Sequence, residues 1–194
     1  MMMLRRSAGI WGPVAFCGAA LLAARSQNGY SHRSHHISGL AARGERSAKI
    51  MIPGFLLLGT STMLMPARSP TLLRMARVAG ATTIAAGLIQ ASDRRCPQPG
   101  SDPDATAADV GHGLASVVTF LLWTAMPIVA LRQSGPRWYR FVSGALGITS
   151  AVGFVAAGAT TRTESPSKGV AQRAFLGSVF LWHLATAIRS IMRS

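Results

Sequence analysis

Residues able to do chemistry are concentrated in three stretches of this chain. The first is the run Ser31, His32, Ser34, His35, His36 and Ser38. Imidazole is a common metal ligand, but adjacent histidines diverge unless a loop folds them together. No cysteine or carboxylate completes a zinc spacing, so a solvated loop is the plainer reading. The second stretch holds Asp109 and His112, three residues apart and therefore on one face of a helix. Two readings stand here. Asp109 is a helix-start acid that complements the dipole, with His112 a wet interfacial histidine. Alternatively, both join Gln172 and Arg173 in a polar pocket. The third stretch runs from Lys168 to Arg173. An arginine near the entry of a membrane helix is costly unless paired or snorkelled. Arg173 thus either anchors the interface or holds a lipid phosphate or a loop carboxylate. His183 lies about 20 Å along the last apolar segment. It reads as a buried histidine hydrogen-bonded across helices, with a proton relay as the other reading.

The elements that must position these residues are apolar blocks. Of the 194 residues, 49% are hydrophobic and only 13% are charged, and mean hydropathy is +0.31. Disordered chains are far less hydrophobic, and soluble domains carry about a quarter charged residues. Six blocks of about 15 to 23 residues each match the length that crosses a bilayer. The expectation is an all-α polytopic membrane protein, one domain of six transmembrane helices joined by short loops. The helices are placed at 8–24, 50–65, 72–91, 109–131, 141–159 and 170–191. Pro53 sits in a first turn, where proline is tolerated, and Pro127 is placed to kink the exit of the fourth helix. Arg74 and Arg77 are able to snorkel from the entry of the third. Small-residue stripes, Ser143/Gly147/Ala151 and Ala76/Gly80/Ile84/Gly87, let backbones approach closely in lipid. The alternation of a membrane β-strand is absent.

Net charge is +14, with 20 Lys+Arg against 6 Asp+Glu, and the pI is about 11.8. The arginines flank apolar blocks instead of forming one patch, which fits anionic lipid headgroups and excludes nucleic acid as the expected partner. Arginine in excess of lysine, with abundant Ala and Gly, points to a GC-rich bacterial genome. With the N-terminus cytoplasmic, the two sides hold equal numbers of basic residues, so the positive-inside rule does not decide. All six acids, Glu45, Asp93, Asp102, Asp104, Asp109 and Glu164, nevertheless fall on the outer side. The cytoplasmic turns are short and purely basic, and both termini are placed in the cytoplasm. Trp138 and Tyr139 in one such turn read as an interface anchor.

Arg5 and Arg6 before the run Ala8–Ala24 resemble a signal peptide, but Leu22 spoils the cleavage site, so an uncleaved first helix is expected. Cys17 lies in an apolar block and Cys96 in a polar loop, too far apart in depth to bridge. There is no GxSxG elbow, Walker loop, dinucleotide fingerprint or HExxH.

The order Ser34–His35–His36–Ile37–Ser38–Gly39–Leu40, then Cys96–Pro97 with Asp102, then His112, then Gly169 with Gln172–Arg173 resembles a bacterial membrane family. That family is named domain of unknown function 998, and the resemblance spans about residues 8 to 191. It is itself similar to six-helix membrane proteins of the DRAM/Sfk type, which are linked to lipid organisation and stress responses. The resemblance implies six helices and no defined activity. The first loop here is longer and more basic, and Asp102, Asp104 and Asp109 are alternative counterparts of the family's acid.

The reading that follows is a non-enzymatic integral protein of the bacterial cytoplasmic membrane, without cofactor or metal. An outward-facing cluster of Ser38, Asp109, His112, Gln172 and Arg173 would stabilise loops or bind an anionic lipid headgroup. The rivals are a membrane-embedded metal-dependent hydrolase using His35, His36, Asp109 and His112, and a small transporter subunit with a polar path to His183.

Overall fold

A computed structural model describes residues 2–96, 104–133 and 135–192. Pro97 and Asp102, singled out above, lie outside them. Among the described residues the chain is all-α. The helices are α1 (Met2–Arg6), α2 (Ala8–Ser26), α3 (Ala48–Leu64), α4 (Pro70–Leu88), α5 (Ala107–Leu131), α6 (Arg137–Arg162) and α7 (Lys168–Ile191). A single 3-10 helix, Ile37–Ala41, lies in the α2–α3 connection.

Seven α-helices stand where six were expected. The extra one is α1, which holds Arg5 and Arg6 in a short helix ahead of α2. The other six cover the expected blocks, with ends shifted by up to four residues: most extend past the apolar stretch, while α3 and α4 stop short of it, at Leu64 and Leu88. Four of them, α2, α5, α6 and α7, are long and apolar enough to cross a membrane. The apolar α3 is shorter, at 17 residues. The 19-residue α4 carries Arg74 and Arg77 and is less apolar. Ser69 caps α4 by accepting from the Leu72 N–H at 3.1 Å, and Pro70 supplies the first helical position.

Each helix from α2 to α7 packs on the next, and α7 returns to pack on α2, so the six form a closed ring. Close crossings use small residues. A Cβ on Gly80 would collide with the Gly59 carbonyl, and one on Gly9 would collide with the His183 carbonyl. The α6 stripe runs Ser143, Gly147, Ser150, not on to Ala151. Its hydroxyls are bonded into the ring: Trp182 Nε1 donates to Ser143 Oγ at 3.1 Å, and Ser150 Oγ meets Ser178 Oγ at 2.9 Å. On the opposite face of α6, Phe141, Ile148, Val152 and Val155 are each at least 65% exposed. That arrangement, polar inward and apolar outward, suits helices surrounded by lipid.

Tyr139 is no interface anchor. It is 1% exposed, bonded to Thr186 Oγ1 at 3.1 Å, and covered by the Arg189 guanidinium 4.1 Å above its ring; Trp138 alone stays at the surface. His183 is fully buried among Trp123, Phe180 and Trp182, but neither ring nitrogen has a hydrogen-bond partner across the helices. The expected cross-helix bond is thus absent, because aromatic rings occupy the neighbouring positions.

Candidate functional site

The α2–α3 connection, the start of the α4–α5 connection and the entry of α7 meet at one end of the ring. Arg43 N donates to Ala91 O at 2.9 Å and Gln90 Nε2 to Ala41 O at 3.0 Å. Arg94 Nη1 donates to Asn28 O at 3.1 Å, and Val170 N to Arg33 O at 3.2 Å. The contact with α7 depends on Gly169. A Cβ there would stand 2.6–2.8 Å from the carbonyl oxygens of His32, Arg33 and His35. Gly39 packs in the same way against the Arg94 carbonyl.

The five residues expected to cluster divide into two groups and a bridge. Asp109, 2% exposed, takes hydrogen bonds from N and Oγ of Ser92 and from N and Oγ1 of Thr106, all at 2.7–2.8 Å. With Thr106 it forms a capping box at the start of α5, and through Ser92 it holds the chain leaving α4. His112, one turn along, directs Nδ1 at the carbonyls of Ala86 and Ile89, at 2.8 and 3.0 Å. These lie at the end of α4, where carbonyls lack intrahelical donors. None of these bonds reaches Gln172 or Arg173.

Those two residues hold the α2–α3 connection instead. Gln172 Oε1 accepts from Ile37 N at 2.8 Å. Arg173 Nη1 donates to His35 O at 3.0 Å and to Gly169 O at 2.8 Å, while Nη2 donates to the Tyr30 hydroxyl. All three acceptors are neutral. Ser38 forms the bridge, its Oγ 3.4 Å from Cys96 Sγ, joining the α2–α3 connection to the one after α4. Ser38, Gln172, Ile37, Phe16, Phe120 and Trp123 face a cavity of about 30 Å³ beneath this cap, room for about one water.

Charge in the cap is set by burial. His36 is held down to about 4, first by burial and then by the ammonium of Lys168; its Nε2 meets Thr161 Oγ1 at 3.2 Å. Burial and neighbouring cations lower His32 and His35 as well. Burial raises the Cys96 thiol to about 11. Lys168, itself buried, is paired with Glu164 at 2.5 Å. His35, His36, Asp109 and His112 are spread over separate bonds, and among the described residues no three His, Cys, Asp or Glu side chains are grouped to hold a metal. The residue spacing gave no sign of Tyr30 or Ser92 as members of this network, and Cys96 entered only through the family resemblance. Thr106-x-x-Asp109 was readable as a capping signature.

A ring of apolar helices, closed at one end by loops bonded into its helix ends, defines an integral membrane protein. Residues 10–189 match the family described as a protein of unknown function, DUF998, and the chain belongs to that family. No curated protein and no solved structure matches the chain.

Proposed function

We propose that this is a multi-pass protein of the bacterial cell membrane. It crosses six times as a single bundle spanning residues 1–194, has both termini in the cytoplasm, and binds anionic lipid headgroups at its capped outer end without catalysing a reaction. The observation that carries this reading is the environment of Arg173. Its guanidinium is oriented by two carbonyls and a phenol, none of which cancels its charge. A fixed cation at the level where α7 enters the bilayer attracts a lipid phosphate, and charge-assisted N–H···O⁻ bonds are about twice as strong as neutral ones. Ser38, Asp109, His112 and Gln172 keep the connections folded so that Arg173 stays in place.

Orientation is supported by the distribution of acids: all five that are described, Glu45, Asp93, Asp104, Asp109 and Glu164, lie in segments at the capped end. Purifying wild type and Arg173→Gln in mild detergent and quantifying retained phosphatidylglycerol tests the lipid claim. The variant is expected to retain several-fold less lipid at unchanged helical content. Equal retention in both would overturn the headgroup reading and leave the cluster as loop support.

A further inference from the structure

The helices of the ring do not offer lipid equal lengths of apolar surface. On α5, residues 110–131 hold no Asp, Glu, Lys or Arg, about 33 Å of helix at 1.5 Å per residue. On α6 the same is true of residues 141–161, about 31 Å. On α7 the exposed row from Val170 to Ile191 is apolar throughout. These lengths match a hydrocarbon core of about 30 Å. The α3–α4 side is shorter. On α3 the uncharged part is 50–64, about 22 Å, and on α4 it is only 78–88, about 16 Å.

Arg74 and Arg77 shorten α4. They lie three residues apart, so they share a face, and both are exposed. Among the described residues neither has a hydrogen bond or an ion pair. No acid occurs in residues 46–92, which include all of α3 and α4. On the neighbouring α5 the one acid is Asp109, at the capped end and occupied by Ser92 and Thr106. The entries of α4 and α6 are level, since Gln133 of the α5–α6 turn donates to Ser69, the cap of α4, at 2.7 Å. Arg77 starts about 10 Å along α4, deeper than any arginine at the entry of α6. A bilayer meets an arginine on a lipid-facing helix by snorkelling, local thinning and entry of water. It meets a short apolar stretch by thinning as well. Both conditions coincide on this one side of the ring.

We propose that the bilayer is thinned along the α3–α4 side, where phospholipid phosphates of the leaflet at the α4 entry are drawn down onto Arg74 and Arg77. The α5–α6 side leaves it at full thickness. The inference rests on the six-crossing reading, because α4 must cross. It does not involve Arg173, which lies at the other end of the helices.

The test places the full chain in phosphatidylcholine vesicles whose monounsaturated chains lengthen stepwise from myristoleoyl to erucoyl. Wild type is compared with Arg74→Leu/Arg77→Leu and with the control Arg137→Leu/Arg140→Leu. The control removes two exposed arginines beside a full-length apolar stretch. All four side chains are exposed, so both variants are expected to fold, with circular dichroism as the check. The chain length giving the highest Tm should rise by at least two carbons in the α4 variant and stay put in the control. A second arm places nitroxides at Ala81→Cys and Ile148→Cys, both exposed and equally far along α4 and α6. A water-soluble nickel chelate should collide several-fold more often at 81 than at 148, and the excess should vanish with Arg74→Leu/Arg77→Leu. An unmoved optimum, an equal move in the control, or equal collision at 81 and 148 would overturn the proposal alone. Arg68→Cys and Arg94→Cys flank α4. Reaction of both with an impermeant maleimide in intact cells would overturn the crossing of α4, and the proposal with it.

Discussion

At the scale of single residues, His36 shows burial and charge acting in one direction. Its proton binds at about 4 in the fold, against 6.5 ordinarily, because the imidazole is buried beside Lys168. A histidine with a depressed folded value contributes stability that is complete above about 6.5 and is lost as pH falls towards 4. The full loss is roughly 3 kcal/mol from this group. Thermal unfolding in detergent between pH 7.5 and 4.5 should show a falling Tm, and His36→Gln should flatten that slope. Gly169 is the second sensitive position. Adding a methyl where three carbonyls converge costs about 1–3 kcal/mol of overpacking. Gly169→Ala should therefore lower Tm and also reduce lipid retention at Arg173, whose Nη1 donates to the Gly169 carbonyl. The importance of Gly169 was visible in sequence only through a family resemblance. The carbonyls it faces are more than 130 residues away along the chain, and no local pattern records them.

Among elements, the start of α5 is the junction on which the cap depends. One carboxylate, Asp109, caps its own helix and also fixes Ser92 beyond α4. Replacing an N-terminal capping group costs about 1 kcal/mol. Asp109→Ala should cost more than Thr106→Ala, because it also releases Ser92. Limited trypsin digestion should read the difference as faster cleavage after Arg94 and Arg95, the exposed residues just beyond. The helix-start role of Asp109 was legible from its place in the first turn of an apolar block, where an acid complements the helix dipole. Its bond to Ser92 was not, since nothing local relates positions 17 residues apart across a turn. On α6, a four-residue stripe was readable, but its inward face follows Ser143, Gly147 and Ser150. A helical repeat of 3.6 residues drifts off any strict spacing of four.

Taken as a whole molecule, the ring separates two chemically different ends: a capped end that holds every acid among the described residues, and an end with a cavity that has arginine as its charged lining. Single cysteines in a background with Cys17 and Cys96 changed to Ser test the proposed threading. Arg33→Cys should react with a membrane-impermeant maleimide in intact cells, and Arg68→Cys only after permeabilisation. Reaction of both from outside would refute the six-crossing arrangement with cytoplasmic termini. Gly59→Leu should separate α3 from α4, since even a Cβ at that crossing would meet the Gly80 carbonyl, and monodispersity on size exclusion should be lost.

Block length and composition were enough to establish an all-helical membrane protein. Peptide groups in lipid have no water to bond, so each apolar stretch must satisfy its own backbone, and the helix does so locally. Which polar side chains meet is a different matter. Asp109 was expected to share a pocket with Arg173, but it bonds to Ser92 and Thr106, while Arg173 holds Tyr30 and His35. The burial of Tyr139 beneath Arg189 was equally invisible. These pairings depend on how six helices close into a ring and where the loops then fall, and that is decided by packing between segments far apart in the chain.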